Sequence, residues 1–235
     1  MKPRLLDLFC GEGGAAQGYA DAGFTVYGVD NDRARLANYP YKCERADALE
    51  FVAEHGWVFD VIHASPPCTG YTRGTAAIPD RLDKYDRLIP VVRELLEATG
   101  KPYVIENVSD AKPELRSPLQ LCWTEFHWLR DVRDDDGTPL QMFRHRLFES
   151  NVPLMGMGGC RHAKHVQVAG AYGGARRDKV EAREIRKGGY VPSLPVMRDL
   201  LDTPWMSEKG CFLSIPPAYT HYLGAQILDY LAVAA

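Results

Sequence analysis

The chain has no apolar run approaching roughly eighteen residues, so no segment is expected to cross a membrane. It also lacks internal repeats and low-complexity tracts, which excludes a solenoid or repeat array. Its six cysteines (Cys10, Cys43, Cys68, Cys122, Cys160 and Cys211) show no pairing rhythm. That excludes a disulfide framework and leads us to expect free thiols in a reducing cytoplasm, host cytoplasm or nucleoid. Positive charge is not in excess, because 28 Lys and Arg against 31 Asp and Glu give a formal net charge of −3. No protein-wide field therefore draws polyanions, although a local basic patch remains compatible with this balance. Met1-Lys2-Pro3-Arg4 lacks a small-residue cleavage site, and Leu5-Leu6-Asp7-Leu8-Phe9 is expected to be a first strand and not a leader. What remains is ordinary globular composition: 235 residues, 46% hydrophobic and 25% charged, enough for one buried core with a small lobe, as a monomer.

Short apolar runs alternate with amphipathic stretches up to about residue 107. Leu5–Phe9, Thr25–Val29, Phe59–Ala64 and Tyr103–Ile105 are expected strands; Gly14–Ala22, Asp32–Tyr39, Ala48–His55 and Arg81–Thr99 are expected helices. The last carries Leu88, Val91, Val92, Leu95 and Leu96 at helical spacing, with Gly100 and Pro102 as stop signals. This alternation predicts an α/β, Rossmann-like fold, a mostly parallel twisted sheet with helices on both faces. Beyond residue 110 the pattern loosens into a polar turn over Arg130–Gly137, a strand over Phe143–Glu149, and helices over Leu194–Leu201 and Ala218–Ala234.

Three motifs lie at expected strand ends, where open α/β sheets bind ligands. The turn Phe9-Cys10-Gly11-Glu12-Gly13-Gly14 follows a strand and opens a helix, so its glycines admit a ligand close to backbone. Asp30 lies nineteen residues after Gly11, the spacing at which an acid holds ribose hydroxyls. The phosphate fingerprint G-x-G-x-x-G is missing, which favours an adenosine ligand without pyrophosphate, S-adenosylmethionine over NAD. In Ser65-Pro66-Pro67-Cys68, two prolines remove backbone donors and present the thiol rigidly. A helix N-terminus or a cation nearby would favour its thiolate. Glu106-Asn107-Val108 ends a buried strand on a carboxyl group, which is expensive unless paired or used. Protonated, or sharing a proton with a ring nitrogen, that group stabilises an electron-rich ring formed by thiolate addition. Arg144-His145-Arg146 presents two guanidinium groups on one strand face, for phosphate, Glu106 or a base carbonyl.

This ordered set resembles the DNA (cytosine-5-)-methyltransferase family. The resemblance is carried by Asp7–Gly14, Ala22-Gly23-Phe24, Asp30, Asp47, Pro66-Pro67-Cys68, Glu106-Asn107-Val108 and Arg144-His145-Arg146. It implies a Rossmann-like S-adenosylmethionine-dependent methyltransferase acting on cytosine in DNA, in a restriction-modification setting, with the base flipped out of the duplex. It implies that Cys68 attacks C6, that Glu106 contacts N3 and the amino group, and that Arg146 supports the base carbonyl, with Arg144 completing the catalytic set. It further implies a cofactor site of Phe9, Cys10, Gly11, Gly13, Gly14, Asp30, Asn31, Asp47, Ala48 and Pro66, with Phe9 on the adenine, Asp30 on the ribose and Asp47 at the adenine amino group.

The chain departs from the family pattern in places. Thr69-Gly70-Tyr71-Thr72 replaces Gln-x-Phe-Ser, Gln141 stands three residues before Arg144 instead of two, and the closing segment Ile215–Gly224 lacks Gly-Asn-x-Val. The expected organisation is a catalytic domain over 1–151, a short target-recognition region over 152–191 and a return segment over 192–235. Within 161–189, Arg161, Lys164, Arg176, Arg177, Lys179, Arg183, Arg186 and Lys187 outnumber Asp178, Glu181 and Glu184, a local excess suited to DNA phosphates. Cys160-Arg161-His162 with His165 invites a zinc reading, but no second Cys/His pair is visible in sequence, so no metal is expected. Three other readings remain open: an amino-group methyltransferase on cytosine or adenine, suggested by Ser65-Pro66-Pro67; methylation of a nucleotide or RNA; and a non-catalytic DNA-binding module.

Overall fold

The computed structural model describes residues 1–71, 87–127, 130–171 and 190–234. In chain order its first half comprises β1 (Arg4–Leu8), α1 (Gly14–Ala22), β2 (Thr25–Asp30), α2 (Arg33–Leu36), β3 (Lys42–Arg45), α3 (Ala48–His55), β4 (Val61–Ala64), α4 (Ile89–Ala98) and β5 (Tyr103–Asn107). There follow β6 (Leu119–Leu121), α5 (Trp123–Phe126), β7 (Leu140–Met142), β8 (Arg146–Ser150), β9 (Gln167–Ala169), α6 (Leu194–Leu201), α7 (Glu208–Leu213) and α8 (Pro217–Ala234). Seven strands form one sheet in the order β3-β2-β1-β4-β5-β8-β6. The first five are parallel, whereas β8 runs antiparallel to both β5 and β6. The chain winds outward from β1 to β3 and then from β4 to β5, which leaves a crevice beyond the carboxyl ends of β1 and β4.

Both sheet faces are covered, as the alternation predicts. Phe51, Val52, Ile89, Val92 and Leu96 of α3 and α4 pack on one face. Ala16, Tyr19, Tyr219, Leu223 and Ile227 of α1 and α8 pack on the other. The α1–α8 seam is close because Gly18 has no side chain: a Cβ there would fall on the Pro217 carbonyl oxygen. Thr220 Oγ1 donates to the Ala15 carbonyl across the same seam, at 2.8 Å. A third apolar cluster, including Trp123, Met142, Ala169, Met197 and Leu201, forms a lobe beside the sheet. It draws on residues either side of the 151/152 boundary expected from sequence. Among the described residues no helix is long and apolar enough to cross a membrane.

Several elements differ from their sequence expectations. The helix expected over Asp32–Tyr39 is a single turn, Arg33–Leu36. It stops because Tyr39 turns inward, where its hydroxyl donates to Asp7 Oδ2 at 3.2 Å, and Pro40 follows. The helix expected over Arg81–Thr99 is described only from Arg87 onward and is helical over Ile89–Ala98. The strand expected over Phe143–Glu149 begins only at Arg146, as β8, and Phe143–His145 form the connection from β7, in which the Arg144 side chain is fully buried. β3 is a polar edge strand, Lys-Cys-Glu-Arg, with no apolar run to announce it.

Candidate active site

A cavity of about 470 Å³ opens at the carboxyl ends of β1, β2, β4 and β5. Its walls include Phe9, Cys10, Gly11, Gly14, Asp30, Asn31, Asp47, Pro66, Cys68, Glu106 and Arg146. Topology thus gathers residues spread over some 140 positions of sequence into one space of small-ligand size. Two expected cofactor residues do not reach it. Gly13 takes φ 85 and abuts the Tyr39 and Pro40 rings, and Ala48, the first residue of α3, is buried in the core. Both support the walls from behind.

The glycine turn divides its tasks. A Cβ on Gly11 would meet nothing within 4 Å, so this position leaves room beside the backbone. Gly14 is needed for packing against the chain itself, since its Cβ would collide with the Ile215 carbonyl and Ser214 Oγ. Phe9 adopts φ 58, a strained backbone for a residue with a Cβ, and its ring enters the cavity wall. Neighbouring bonds hold the turn in place, with Cys10 N donating to the Val29 carbonyl at 3.2 Å and Gly11 N to Asp30 Oδ2 at 2.9 Å. Asp30 also accepts from Asp32 N at 2.9 Å. Asp47 caps α3 by accepting from Leu49 N and Glu50 N, and it faces the same cavity. Carboxylates of Asp30 and Asp47 repel a pyrophosphate and attract a cationic ligand.

At the other end of the cavity, Arg146 Nε lies 2.9 Å from Glu106 Oε1, and both groups are nearly buried. Burial drives the Glu106 carboxyl above its ordinary range, opposed by Arg146 and by a hydrogen bond from Ser65. Asn107 Nδ2 donates to the Pro66 carbonyl at 2.9 Å, which ties the strand end bearing Glu106 to the loop bearing Cys68. Cys68 opens a short 3-10 turn, Cys68–Gly70. Its thiol is raised above the ordinary value by burial, with Arg146 pulling the other way and Glu106 adding to the rise. Desolvation thus outweighs the nearby cation and works against the thiolate that the sequence favours.

The expected pairing of two guanidiniums is corrected for Arg144. Its side chain is fully buried and does not line the cavity. The guanidinium donates to the carbonyls of Ser214 (Nε, 2.9 Å), Ala171 (Nη1, 2.8 Å) and Phe212 (Nη2, 2.9 Å). It fastens the return segment to the β7–β8 connection, because five planar donors suit convergent carbonyls. Gln141 acts similarly, donating to the Ala163 and Val166 carbonyls at 2.6 and 2.9 Å.

The chain's own residues supply further parts that sequence reading misses. Tyr19 Oη lies 3.0 Å from His63 Nδ1, and His63 Nε2 lies 2.8 Å from Ser65 Oγ, which reaches Glu106. Burial pushes His63 down to about 3, so the imidazole is neutral and can relay a directed row of hydrogen bonds to Glu106. Glu12 accepts from Ser207 N at 2.7 Å and from Ser207 Oγ, and its carbonyl accepts from Trp205 Nε1 at 2.7 Å. This clamp brings Met206, Phe212 and Ser214 into the cavity wall. Nothing in the sequence signals the contact, since about 195 residues separate its ends and the family's closing motif is missing. Of the expected basic patch, Arg161 and Lys164 are exposed; Arg176, Arg177, Lys179, Arg183, Arg186 and Lys187 lie outside the described residues. Cys160 and His162, for which the sequence offers no partners, sit beside Cys122 and His145.

Asp7 beneath the turn carries a stability prediction. Burial pushes its carboxyl up to about 8 from an ordinary 3.8. Across that window the native state keeps a proton that the unfolded chain has released, so this group's contribution to stability falls as pH rises. Asp7→Asn keeps an acceptor for the Tyr39 hydroxyl and removes the titration. We expect the variant to melt on the order of 10 °C higher than the parent at pH 8, with the two converging only below about pH 4. Parallel melting curves across that range would show that Asp7 does not titrate as described.

No protein-family model matches the chain. It is 31% identical to the type II methyltransferase M.AgeI of Thalassovita gelatinovora over 45% of this chain. The chain spans 28% of that relative's own length, and 56% of a second type II relative's, from Methanocaldococcus jannaschii. Solved structures match over the whole chain. The S. pombe Dnmt2 methyltransferase gives a TM-score of 0.57 at 12% identity, covering 98% of this chain and 99% of its own. A candidate DNA modification methyltransferase encoded within an E. coli prophage gives 0.54 at 14% identity, covering 98% and 100%. Sheet order and whole-length correspondence agree: the chain has the α/β, Rossmann-like fold of these methyltransferase structures, with a mostly parallel sheet covered by helices on both faces.

Proposed function

We propose that the chain transfers a methyl group from S-adenosylmethionine to C5 of cytosine in DNA through a covalent Cys68 adduct. The observation that carries this reading is the meeting of Cys68, Glu106 and Arg146 at one end of the cavity whose other end is the glycine turn with Asp30 and Asp47. The donor set fits the cofactor: Phe9 offers a ring face, Asp30 and Asp47 offer acceptors, and Gly11 leaves space. When bound, S-adenosylmethionine supplies an electrophilic methyl on a sulfonium.

C5 of cytosine is a poor nucleophile because its electrons belong to an aromatic ring. Cys68 Sγ loses its proton and bonds to C6, and the C5–C6 π pair then resides on C5 as in an enamine. Glu106, whose carboxyl lies above its ordinary range, balances this by sharing a proton with N3. Arg146 holds that carboxyl in place and offers further N–H donors toward the base carbonyl. C5 takes the methyl, a base removes the C5 proton, and the S–C6 bond breaks to restore ring and thiol. A stacked base cannot enter such a cavity, so the cytosine must leave the duplex. DNA as the substrate is supported by the prophage neighbour's description and by the basic stretch beginning at Arg161.

Trapping tests this directly. DNA containing 5-fluorocytosine cannot lose its C5 substituent, so the adduct is expected to persist as a denaturation-resistant protein–DNA complex formed only with S-adenosylmethionine. Methylation of ordinary DNA without any trapped complex would indicate an amino-group methyltransferase, and trapping on RNA alone would reassign the substrate.

A further inference from the structure

We propose that Cys122, His145, Cys160 and His162 bind a structural zinc ion that joins the Arg146 strand to the start of the basic segment. One thiol or imidazole atom from each residue lies within 4.8 Å of all the others. His145 Nε2 is 3.2 Å from Cys160 Sγ, and Cys122 Sγ is 3.4 Å from His162 Nε2. A tetrahedral ion with bonds of about 2.3 Å to sulfur and about 2.0 Å to nitrogen sets its ligands roughly 3.5 Å apart, close to these separations. Two thiols and two imidazoles form a borderline-soft set that selects zinc over magnesium or calcium.

Three separate stretches bring the four ligands together, and each is placed by contacts that do not involve an ion. Cys122 follows β6 at the start of α5, and His145 lies in the connection between β7 and β8. Gly158 and Gly159, at φ 101 and 106, turn the chain so that Cys160 and His162 face them. The loop is pinned on both sides. Arg161 N donates to Thr124 Oγ1 at 3.0 Å, Ala163 N donates to Gln141 Oε1 at 2.9 Å, and the Phe143 and His162 rings stack with centroids 3.8 Å apart. Such preorganisation by hydrogen bonds and packing around the ligands is what tunes and orients a metal site.

The charge logic agrees. An imidazole ring nitrogen donates its lone pair to a metal when the ring is neutral. Two thiolates side by side would repel one another. A divalent ion reverses that repulsion: both thiols ionise, two S–Zn bonds form and two protons pass to solvent. The site also touches the chemistry indirectly, since the His145 carbonyl accepts from Arg146 Nη1 at 2.9 Å. Zinc would make His145 a positioning residue for Arg146.

Metal content decides the matter independently of methyl transfer. The full chain, expressed in zinc-supplemented medium and purified without chelator, is expected to carry about one zinc per molecule. It should lose that zinc to a strong chelator with a drop in melting temperature, and the metal-free reduced protein titrated with cobalt(II) should show thiolate-to-cobalt charge-transfer absorption. Cys160→Ser with His162→Ala, both at exposed positions, should cut the zinc at least about tenfold, while Cys43→Ser leaves it unchanged. A parent protein with under about a tenth of an equivalent and a featureless cobalt titration overturns the site. Zinc retained at parental level by the double variant overturns it equally, because the ion would then sit elsewhere.

Discussion

Replacing Cys68 with serine is expected to slow methyl transfer at least about 10³-fold, roughly 4 kcal/mol of barrier, while folding and cofactor binding persist. Serine matches the thiol in shape, and Cys68 sits half-buried on a short turn whose backbone bond, Tyr71 N to the Cys68 carbonyl at 3.0 Å, does not involve the sulfur. What changes is nucleophilicity, because a hydroxyl ionises far less readily than a thiol. Single-turnover transfer to DNA reads the loss, and melting temperature with equilibrium S-adenosylmethionine binding reads the controls. Because burial raises the Cys68 thiol, the parental rate should also climb with pH above neutrality and the serine variant's should not. An undiminished serine variant would end the covalent mechanism and the roles given to Glu106 and Arg146.

The second large effect is on stability. Arg144→Leu is expected to cost about 3–5 kcal/mol of unfolding free energy, because it leaves buried carbonyls without their donor. Those carbonyls belong to Ala171, Phe212 and Ser214, so the return segment would detach first and carry the cavity wall with it. Arg146→Leu touches a different part of the molecule. It removes the partner of Glu106 at the cavity, so transfer should fall by two orders of magnitude or more with a smaller change in urea midpoint, roughly 10² in rate. Urea unfolding of both variants separates the two arginines. An Arg144→Leu protein with parental stability and no activity would return Arg144 to the chemistry.

Much of the site is legible in the residues themselves. Phe9–Gly14, Asp30, Asp47, Pro66-Pro67-Cys68 and Glu106 sit at or just after strand ends, and parallel strands that begin in register end in register. Local pattern therefore implies a shared edge before any contact is known. Arg144 shows the limit of that reasoning. Alternation along a strand places it on the face of Arg146, but the strand begins only after it, because inward-facing carbonyls of Ala171, Cys211, Phe212 and Ser214 satisfy its guanidinium in the interior. Cys68 shows another limit: sequence displays a nearby cation but not the desolvation that outweighs it.

Sequence alone determined the strand–helix alternation, the parallel sheet and the order of motifs along its edge, because each follows from periodicity and turn chemistry acting over a few residues. Only tertiary structure decided that Glu12 clamps Ser207, that Arg144 fastens the return segment, that a Tyr19–His63–Ser65 row backs Glu106, and that Cys122 and His145 stand beside Cys160 and His162. These contacts join positions tens to hundreds of residues apart. They form because a buried polar group must find a partner somewhere in the packed interior, and which partner is nearest is settled by the fold as a whole.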